Sequence, residues 1–277
     1  MKPARLGLFL LLVFALPPTP APAQSIEAFV ADHPGRLRSL FDALDPGNPD
    51  IAEPLAAWRE GRGVEACRRL LLYYDAKDVS GAPFLENVQR DNPLDLPVAK
   101  AMLDDRFTIQ GNRAVVPQRE GGGLDWAYRG PKRDKEWAWM LNRHFFFYDM
   151  VRAYRETGDP SYLEKVDGWI RDWVPAHPSP RRYTFSPAWR PLEAARRILD
   201  SWVWVFYRLR GPAGLSDEAR LLLLSSLPEH AEMLQHYASI WGGNHYLTEK
   251  TALAQLAVAF PEFRGGGEWL RHVRREI

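Results

Sequence analysis

The pair Asn244-His245 directly follows Gly242 and Gly243 in the segment WGGNHYLTEK, close to the start of a predicted helix. Glycine has no side chain and accepts unusual backbone angles, so a ligand can approach closely at this position. An amide and an imidazole are hydrogen-bonding groups that could bind such a ligand. The structural alternative is that Asn244 caps a helix starting near Tyr246, since asparagine is a good helix cap, while His245 bonds a nearby carbonyl group.

A second polar cluster, Asn142-Arg143-His144, lies within the aromatic segment WAWMLNRHFFFY. Burying an arginine among aromatic residues is costly unless its guanidinium group meets a carboxylate or the face of a ring. The cluster therefore predicts either a contact with a ligand or a structural salt bridge or stacking contact.

A third cluster is WRPLEAARR, which contains Trp189, Arg190 and Glu193. Glu193 precedes Arg196 and Arg197 at the spacing of one helical turn, and this spacing predicts an ion pair with one of them. The alternative is that the cluster contributes a charged group to a binding site.

Other kinds of site have little support in the sequence. His245 and Glu249 share one face of the predicted helix, but two ligands do not make a metal site, and no His-Glu-x-x-His motif or cysteine pair occurs. A glycine-rich phosphate loop and a Gly-x-Ser-x-Gly turn are also absent. We therefore predict no metal and no cofactor.

The elements that position these clusters are helices, because helical periodicity runs through nearly all of the chain after its first residues. The predicted helices cover residues 26–44, 54–74 with an interruption at 61–63, 135–156, 160–174, 188–209, 216–237, 246–260 and 267–276. Residues 76–130 are irregular, with a short helix near Val98–Leu103 and a short strand near Ala114–Val116. So many helices exceed a four-helix bundle, and several are apolar on two sides. The predicted fold is all-α: an α/α toroid of antiparallel helix pairs forming one domain over residues 24–277.

Composition and the N-terminus limit the possible partners. The net charge is +1, so the protein has no overall field that would hold nucleic acid or an anionic membrane, and an acidic ligand must be bound by local arginines. Lys2 and Arg5 precede an apolar run at residues 6–16, and the small residues at 21–23 complete a predicted signal peptide over residues 1–23. An uncleaved membrane anchor is the alternative. We predict a periplasmic or secreted protein that has no membrane contact after cleavage. The lone cysteine, Cys67, is predicted to be a core residue.

The ordered set of these segments resembles the N-terminal α-domain of heparinase II/III-type polysaccharide lyases, a group that includes heparan-sulfate lyases and oligoalginate lyases. The resemblance covers roughly residues 50–277. The matching segments are DW at 125–126, WMLNRH at 139–144, AYRETGDPSYLEKVDGWIRDW at 153–173, WRPLEAARR at 189–197 and GGNHYLTEKTALAQLAVAFPEF at 242–263, followed by Trp269.

The resemblance implies a lyase that cleaves glycans containing uronic acid, of the heparan sulfate or alginate type, by β-elimination. Such an enzyme removes the C5 proton of a uronate and expels the oxygen at C4, and hydrogen-bond donors that neutralise the carboxylate lower the barrier. The resemblance assigns this role to Asn244 and His245. The residues that it implies for substrate binding are Arg143, His144, Asn142, Arg190, Glu193 and Trp189.

The sequence departs from the family pattern in one respect. The catalytic tyrosine of the family follows the Asn-His pair in a segment resembling DGxxxExSxxYH, and a C-terminal β-sandwich adds further active-site residues; neither occurs within these 277 residues. We therefore expect an incomplete toroid that is inactive by itself. Two alternatives remain. One is a non-catalytic domain or inactive fragment that binds acidic glycans; the other is a glycoside hydrolase, which needs two carboxylates in one cleft, with Asp125, Asp134 and Glu193 as candidates.

Overall fold

The computed structural model describes residues 25–86, 93–239 and 242–277, and its regular structure is almost entirely helical. The predicted all-α class is confirmed. The helices are α1 (Ile26–Asp32), α2 (Pro34–Ala43), α3 (Ala52–Arg59), α4 (Gly63–Ala76), α5 (Pro83–Glu86), α6 (Leu96–Met102), α7 (Lys135–Leu141), α8 (Phe146–Thr157), α9 (Ser161–Ala176), α10 (Pro191–Arg197), α11 (Val203–Arg208), α12 (Asp217–His236), α13 (Gly243–Ala259) and α14 (Gly266–Glu276). A π-helical turn, Ile198–Trp202, joins α10 to α11. The predicted signal peptide at residues 1–23 lies outside the described residues.

From α8 onward, the helices form two layers that run in opposite directions. In the first layer, α8 lies beside α10 and α11. Arg143, just before α8, contacts Glu193 in α10, and Tyr148 in α8 packs its ring 4.8 Å from Trp204 in α11. Residue numbers rise together along both helices, so the two are parallel.

Helix α13 belongs to the same layer and runs in the same direction. The Gln255 amide donates to the Ile198 carbonyl at 3.4 Å, and the Tyr207 hydroxyl donates to the Ala259 carbonyl at 2.5 Å. Here too the paired positions advance together along the two helices. We call α8, α10–α11 and α13 the inner layer.

The outer layer consists of α9, α12 and α14, which pack on the inner helices. Helix α9 is antiparallel to α8, because Trp169 stacks on Phe147 whereas the later Trp173 lies against the earlier His144. Two layers of opposite direction are the arrangement predicted for an incomplete α/α toroid, and this prediction is confirmed.

Two features of the N-terminal half differ from the sequence-based expectation. The helix predicted over residues 26–44 is broken between α1 and α2, because Pro34 has no backbone N–H and starts a new helix. The irregular segment contains the predicted short helix, as α6, and a hairpin of β1 (Arg106–Ile109) and β2 (Asn112–Val115) in which Phe107 pairs with Ala114. Strand β1 was not predicted, since four residues are too few to show alternation.

The core contains most of the aromatic residues, including Trp126, Trp137, Trp173 and Trp202. Cys67 is fully buried in α4, as predicted, and burial raises the pKa of its thiol to about 12. In the described part of the chain, no helix combines the length and the apolar character that crossing a bilayer requires.

Candidate functional site

The three polar clusters singled out in the sequence lie at one end of the inner layer. Helices α8, α10 and α13 are parallel, so their N-terminal ends face the same way. Arg143 lies three residues before the start of α8, Arg190 is the residue before α10, and Asn244 lies in the first turn of α13. By the contact between Gln255 and Ile198, the first turn of α13 extends somewhat beyond the start of α10. We call this end of the layer the site end.

A break between α7 and α8 places Arg143 at the site end. The single helix predicted over residues 135–156 is wrong, because α7 ends at Leu141 and His144 has a left-handed backbone with φ 55°. The side-chain amide of Asn142 donates to the carbonyl groups of Trp126 and Ala138, at 2.7 and 2.9 Å. These bonds hold the end of α7 in a turn, which directs Arg143 toward α10.

The carboxylate of Glu193 contacts two arginines at the site end. Arg143 Nη2 lies 2.8 Å from Glu193 Oε1, and Arg190 Nη1 lies 3.0 Å from both carboxylate oxygens. Arg190 also places its guanidinium carbon 3.9 Å from the centre of the Trp139 ring. Glu193 is fully buried, whereas the side chains of Arg143 and Arg190 are 20% and 14% exposed.

The ion pair predicted between Glu193 and Arg196 or Arg197 is wrong. Arg196 pairs with Asp200 at 2.8 Å, and Arg197 points into the core. The carboxylate of Glu193 instead faces the start of α8, which brings Arg143 to it from a neighbouring helix.

The two arginines and Glu193 together carry one excess positive charge. The Nε atom of Arg143 is buried and makes no hydrogen bond to any residue that the structure describes. Because the arginines are partly exposed, the cluster offers cationic donors to an anion at the surface. A carboxylate or sulfate group is suited to such donors.

Three of the predicted substrate-binding residues are buried and bonded within the protein. Asn142 Oδ1 accepts from Trp173 Nε1 at 2.9 Å, His144 Nδ1 accepts from Trp202 Nε1 at 3.0 Å, and Trp189 Nε1 donates to the His177 carbonyl at 2.9 Å. Their contacts stabilise the turns that precede α8 and α10. The side chains of Asn142, His144 and Trp189 are therefore enclosed in the protein, where they hold these turns in place.

Arg197 is a further positioning residue, for which the helical spacing predicts only an ion pair. Its side chain is fully buried and donates to the carbonyl groups of Asn142 and Ala188, at 2.6 and 2.8 Å, and to His230 Nε2 at 3.1 Å. Burial lowers the pKa of Arg197 to about 9. One guanidinium group therefore joins the turn before α8 to the turn before α10. The sign of this buried role in the sequence is that Arg197 stands among apolar residues of a predicted helix.

Asn244 and His245 are exposed in the first turn of α13. The alternative in which Asn244 caps this helix is wrong, because the helix begins at Gly243 and no side chain caps it. Gly242 and Gly243 have φ values of 66° and 74°, which non-glycine residues rarely adopt. The side chains of Asn244 and His245 are thus free to face solvent at the site end.

Glu249 anchors the start of α13 instead of serving as a metal ligand. Its buried carboxylate accepts from Ser239 N and Ser239 Oγ, both at 2.6 Å, and desolvation raises its pKa. Within residues 25–86, 93–239 and 242–277, no group of three or more histidine, cysteine or acidic side chains is placed to hold a metal ion.

The carboxylates considered for a glycoside hydrolase are occupied by local structure. Asp125 accepts from Ala127 N and Asp134 accepts from Glu136 N, both at 3.0 Å. Glu193 is held by its two arginines. These contacts favour structural roles for all three carboxylates over an acid and base pair.

The structure is thus an α/α toroid whose parallel inner helices place cationic donors and an exposed Asn-His pair at one end. The chain belongs to the Heparinase II/III N-terminus family, which it matches over residues 40–276. The expected family resemblance is thereby confirmed.

Curated relatives agree with this family. A heparin-sulfate lyase of Bacteroides thetaiotaomicron is 24% identical over 83% of this chain, and a heparin-sulfate lyase of Bacteroides stercoris is 27% identical over a similar share. The matched regions make up 34% and 37% of those relatives, so the chain spans little more than a third of their length.

Solved structures show the same fold. A crystal structure of heparinase III superposes with a TM-score of 0.72 at 24% identity, covering 85% of this chain and 37% of that one. A heparan sulfate lyase from Pedobacter heparinus gives a TM-score of 0.70 at 24% identity, covering 85% of this chain and 38% of its own.

Proposed function

We propose that this chain supplies the carboxylate-binding part of a lyase site that cleaves glycans of the heparan sulfate type by β-elimination. The observation that carries the proposal is the meeting of three parallel helix starts, which present Arg143, Arg190, Asn244 and His245 at one end of the inner layer. Exposure of the Asn-His pair supports it, since a buried pair could not reach a polymer.

In the proposed reaction, Asn244 and His245 donate hydrogen bonds to the carboxylate of the uronate whose C5–H bond breaks. The negative charge that develops at C5 spreads onto this carboxylate, so donors placed there stabilise the transition state more than the bound substrate. The glycines before Asn244 leave room for the sugar. Arg143 and Arg190 bind a neighbouring sulfate or carboxylate and hold the chain in register.

Proton transfer from C5 is not assigned to a residue of this chain. A general base takes the C5 proton, the electron pair of the C5–H bond forms the C4–C5 double bond, and the C4–O bond breaks as its oxygen takes up a proton from a general acid. The product therefore carries an unsaturated uronate. A periplasmic or secreted location, where such polymers would be met, is part of the same proposal.

The test incubates heparan sulfate with the protein in the full form that its gene encodes, and follows the ultraviolet absorbance of the unsaturated uronate. We expect a steady gain in absorbance, and a loss of about 100-fold or more in rate for Asn244→Ala, as for other donors to a developing negative charge. Alginate serves as a second polymer that distinguishes the two uronate types.

Two results would contradict lyase activity. If no uronate polymer gives a gain in absorbance, the proposed elimination reaction is wrong. Binding without any such gain would support the alternative of a non-catalytic domain that binds acidic glycans. An unchanged rate in Asn244→Ala would remove the role proposed for that residue.

A further inference from the structure

A cavity of about 210 Å³ lies beside the site end, between the loop before α7 and the loop before α10. Arg129, Lys135, Trp139, Phe185 and Pro187 line it. It is smaller than the pockets of about 300–1,000 Å³ that enclose whole drug-sized ligands, so it suits a single sugar-sized unit.

Trp139 lines this cavity and also contacts Arg190, one of the two arginines that pair with Glu193. One face of its ring is covered by Arg190, with the guanidinium carbon 3.9 Å from the ring centre, and Lys135 Nζ lies 5.1 Å from the same centre. The Trp139 indole N–H also donates to the Phe185 carbonyl at 3.4 Å, which ties the two loops together. A ligand that contacts Arg190 can therefore continue into the cavity.

The two chain segments that border the cavity are rich in basic residues, although the protein as a whole carries a net charge of only +1. Arg129 and Lys135 line the cavity, and Lys132, Arg133 and Arg182 are further exposed cationic residues of the same segments. Within the described residues, none of the five has a carboxylate within salt-bridge distance, and Asp134, the acidic residue among them, caps the backbone of Glu136. Exposed cations that have no carboxylate partner are available to pair with an anionic ligand.

An exposed aromatic ring completes the surface. Phe185 is 68% exposed, and its ring packs edge-on against Tyr183 with the centroids 5.3 Å apart. A large apolar ring held in the open beside cations gives a flat face for the C–H groups of a sugar ring. We call these six residues, the five cations and Phe185, the loop surface.

We propose that the loop surface is an extended subsite, which binds acidic sugar units of the polymer that flank the unit held by Arg190 and Asn244. The inference rests on the proposed function, because it assigns the same ligand to a neighbouring surface. Sulfate and carboxylate groups pair with the five cations, while Phe185 packs on a sugar ring. The subsite increases affinity for long chains and leaves the binding of the shortest ones unchanged.

The experiment titrates heparan sulfate oligosaccharides of increasing length into the protein by calorimetry. The test variant is Arg129→Gln/Lys135→Gln/Phe185→Ser. The control variant is Arg59→Gln/Lys100→Gln/Leu72→Ser, which removes the same charge and one exposed apolar side chain from helices α3, α4 and α6. Lys100 lies near Asp159, beyond the C-terminal end of α8, and so away from the site end.

We expect affinity of the wild type to rise with oligosaccharide length, and the test variant to lose about tenfold for the longest chains, since three exposed contacts each contribute modestly. The shortest oligosaccharide and the control variant should stay at wild-type affinity. Added salt should reduce the advantage of long chains in the wild type.

The outcomes separate the subsite from the proposed function. If the wild type binds oligosaccharides and the test variant binds each length with the same affinity as the wild type, the subsite is wrong and the proposed function stands. If the test variant weakens short and long chains alike, the surface is not an extension and the subsite is also wrong. If the wild type binds no length at all, both proposals fail together.

Discussion

Glu193 is the residue that fixes the positions of the two arginines at the site end. Buried and paired with both Arg143 and Arg190, it holds two guanidinium groups close together that would otherwise repel each other. A group that organises two cations in this way positions them for a ligand without touching the ligand itself.

We predict that Glu193→Gln weakens binding of heparan sulfate oligosaccharides about tenfold, because the arginines lose the charge that aligns them. Folding stability should fall by about 2 kcal/mol, since two partly buried cations lose their charged partner while the amide still accepts one hydrogen bond. Calorimetry measures the first effect and urea unfolding measures the second.

The matched control is Glu65→Gln in α4, where Glu65 contacts Arg68 and Arg69 on an exposed helix surface. Neither binding nor stability should change measurably in this variant. Equal effects of the two substitutions would show that Glu193 has no special role at the site end.

The residue types of the site could be predicted from the sequence, but the pairing of Glu193 with Arg143 could not. The rule of helical spacing compares Glu193 only with residues of its own helix, and Arg143 lies 50 positions away. For the same reason Arg197 was predicted only as a possible partner of Glu193, whereas its partners are the carbonyl groups of Asn142 and Ala188. Contacts between helices depend on their relative position, which periodicity does not contain.

At the scale of elements, the starts of three parallel helices define the site. Each start has its own device: a left-handed turn at His144, a proline directly after Arg190, and the two glycines before Asn244. These devices end the preceding segment sharply and leave Arg143, Arg190 and Asn244 at the site end. The start of α13 is the one that positions the Asn-His pair.

We predict that Gly243→Ala weakens glycan binding while costing only about 1–2 kcal/mol of folding stability. The φ of 74° is unfavourable for alanine, yet nothing lies within 4 Å of the position that its methyl group would take. Relief of this strain should rotate the first turn of α13 and displace Asn244. Oligosaccharide titration and thermal unfolding measure the two effects.

Gly61→Ala is a close control, because Gly61 has the same φ of 74° and the same open surroundings in the turn between α3 and α4. It should lose similar stability and keep wild-type binding. If both variants bind like the wild type, the backbone at Gly243 does not position the site.

The sequence predicted the presence of the helices better than the residues at which they begin and end. Apolar residues that recur at helical spacing over several turns located the helices that became α9, α12 and α13. The break at 142–145 was hidden, since the residues on both sides of it are apolar and continue the helical pattern. It is held by hydrogen bonds from Asn142 and Arg197, which are tertiary contacts.

At the scale of the whole molecule, two neutral imidazoles lie inside the aromatic core between the layers. His144 Nδ1 accepts from the indole of Trp202, and His230 Nε2 accepts from the guanidinium of Arg197. The indole N–H and the guanidinium group can only donate hydrogen bonds. Each histidine must therefore accept with a nitrogen that carries no proton. Burial, and then the charge of Arg197, hold the pKa of both histidines well below the usual value.

We predict that the protein loses stability as the pH falls below about 6.5, the usual pKa of histidine in an unfolded chain. Below that pH the unfolded chain binds protons at these two positions and the folded protein does not, so stability falls by up to about 1.4 kcal/mol per pH unit for each histidine. The raised pKa values of Glu229 and Glu249 act in the opposite direction at lower pH. Urea unfolding at a series of pH values tests this, and constant or rising stability between neutral pH and the onset of carboxylate titration would contradict it.

The most direct test of the central claim is a calorimetric titration of a heparan sulfate oligosaccharide into the wild type and into Asn244→Ala. The claim is that the exposed amide at the start of α13 binds a sugar carboxylate beside the two arginines. We expect the wild type to bind and the variant to bind about tenfold to a hundredfold more weakly, the value of a hydrogen bond to a charged group. Equal affinity of the two proteins would contradict the claim.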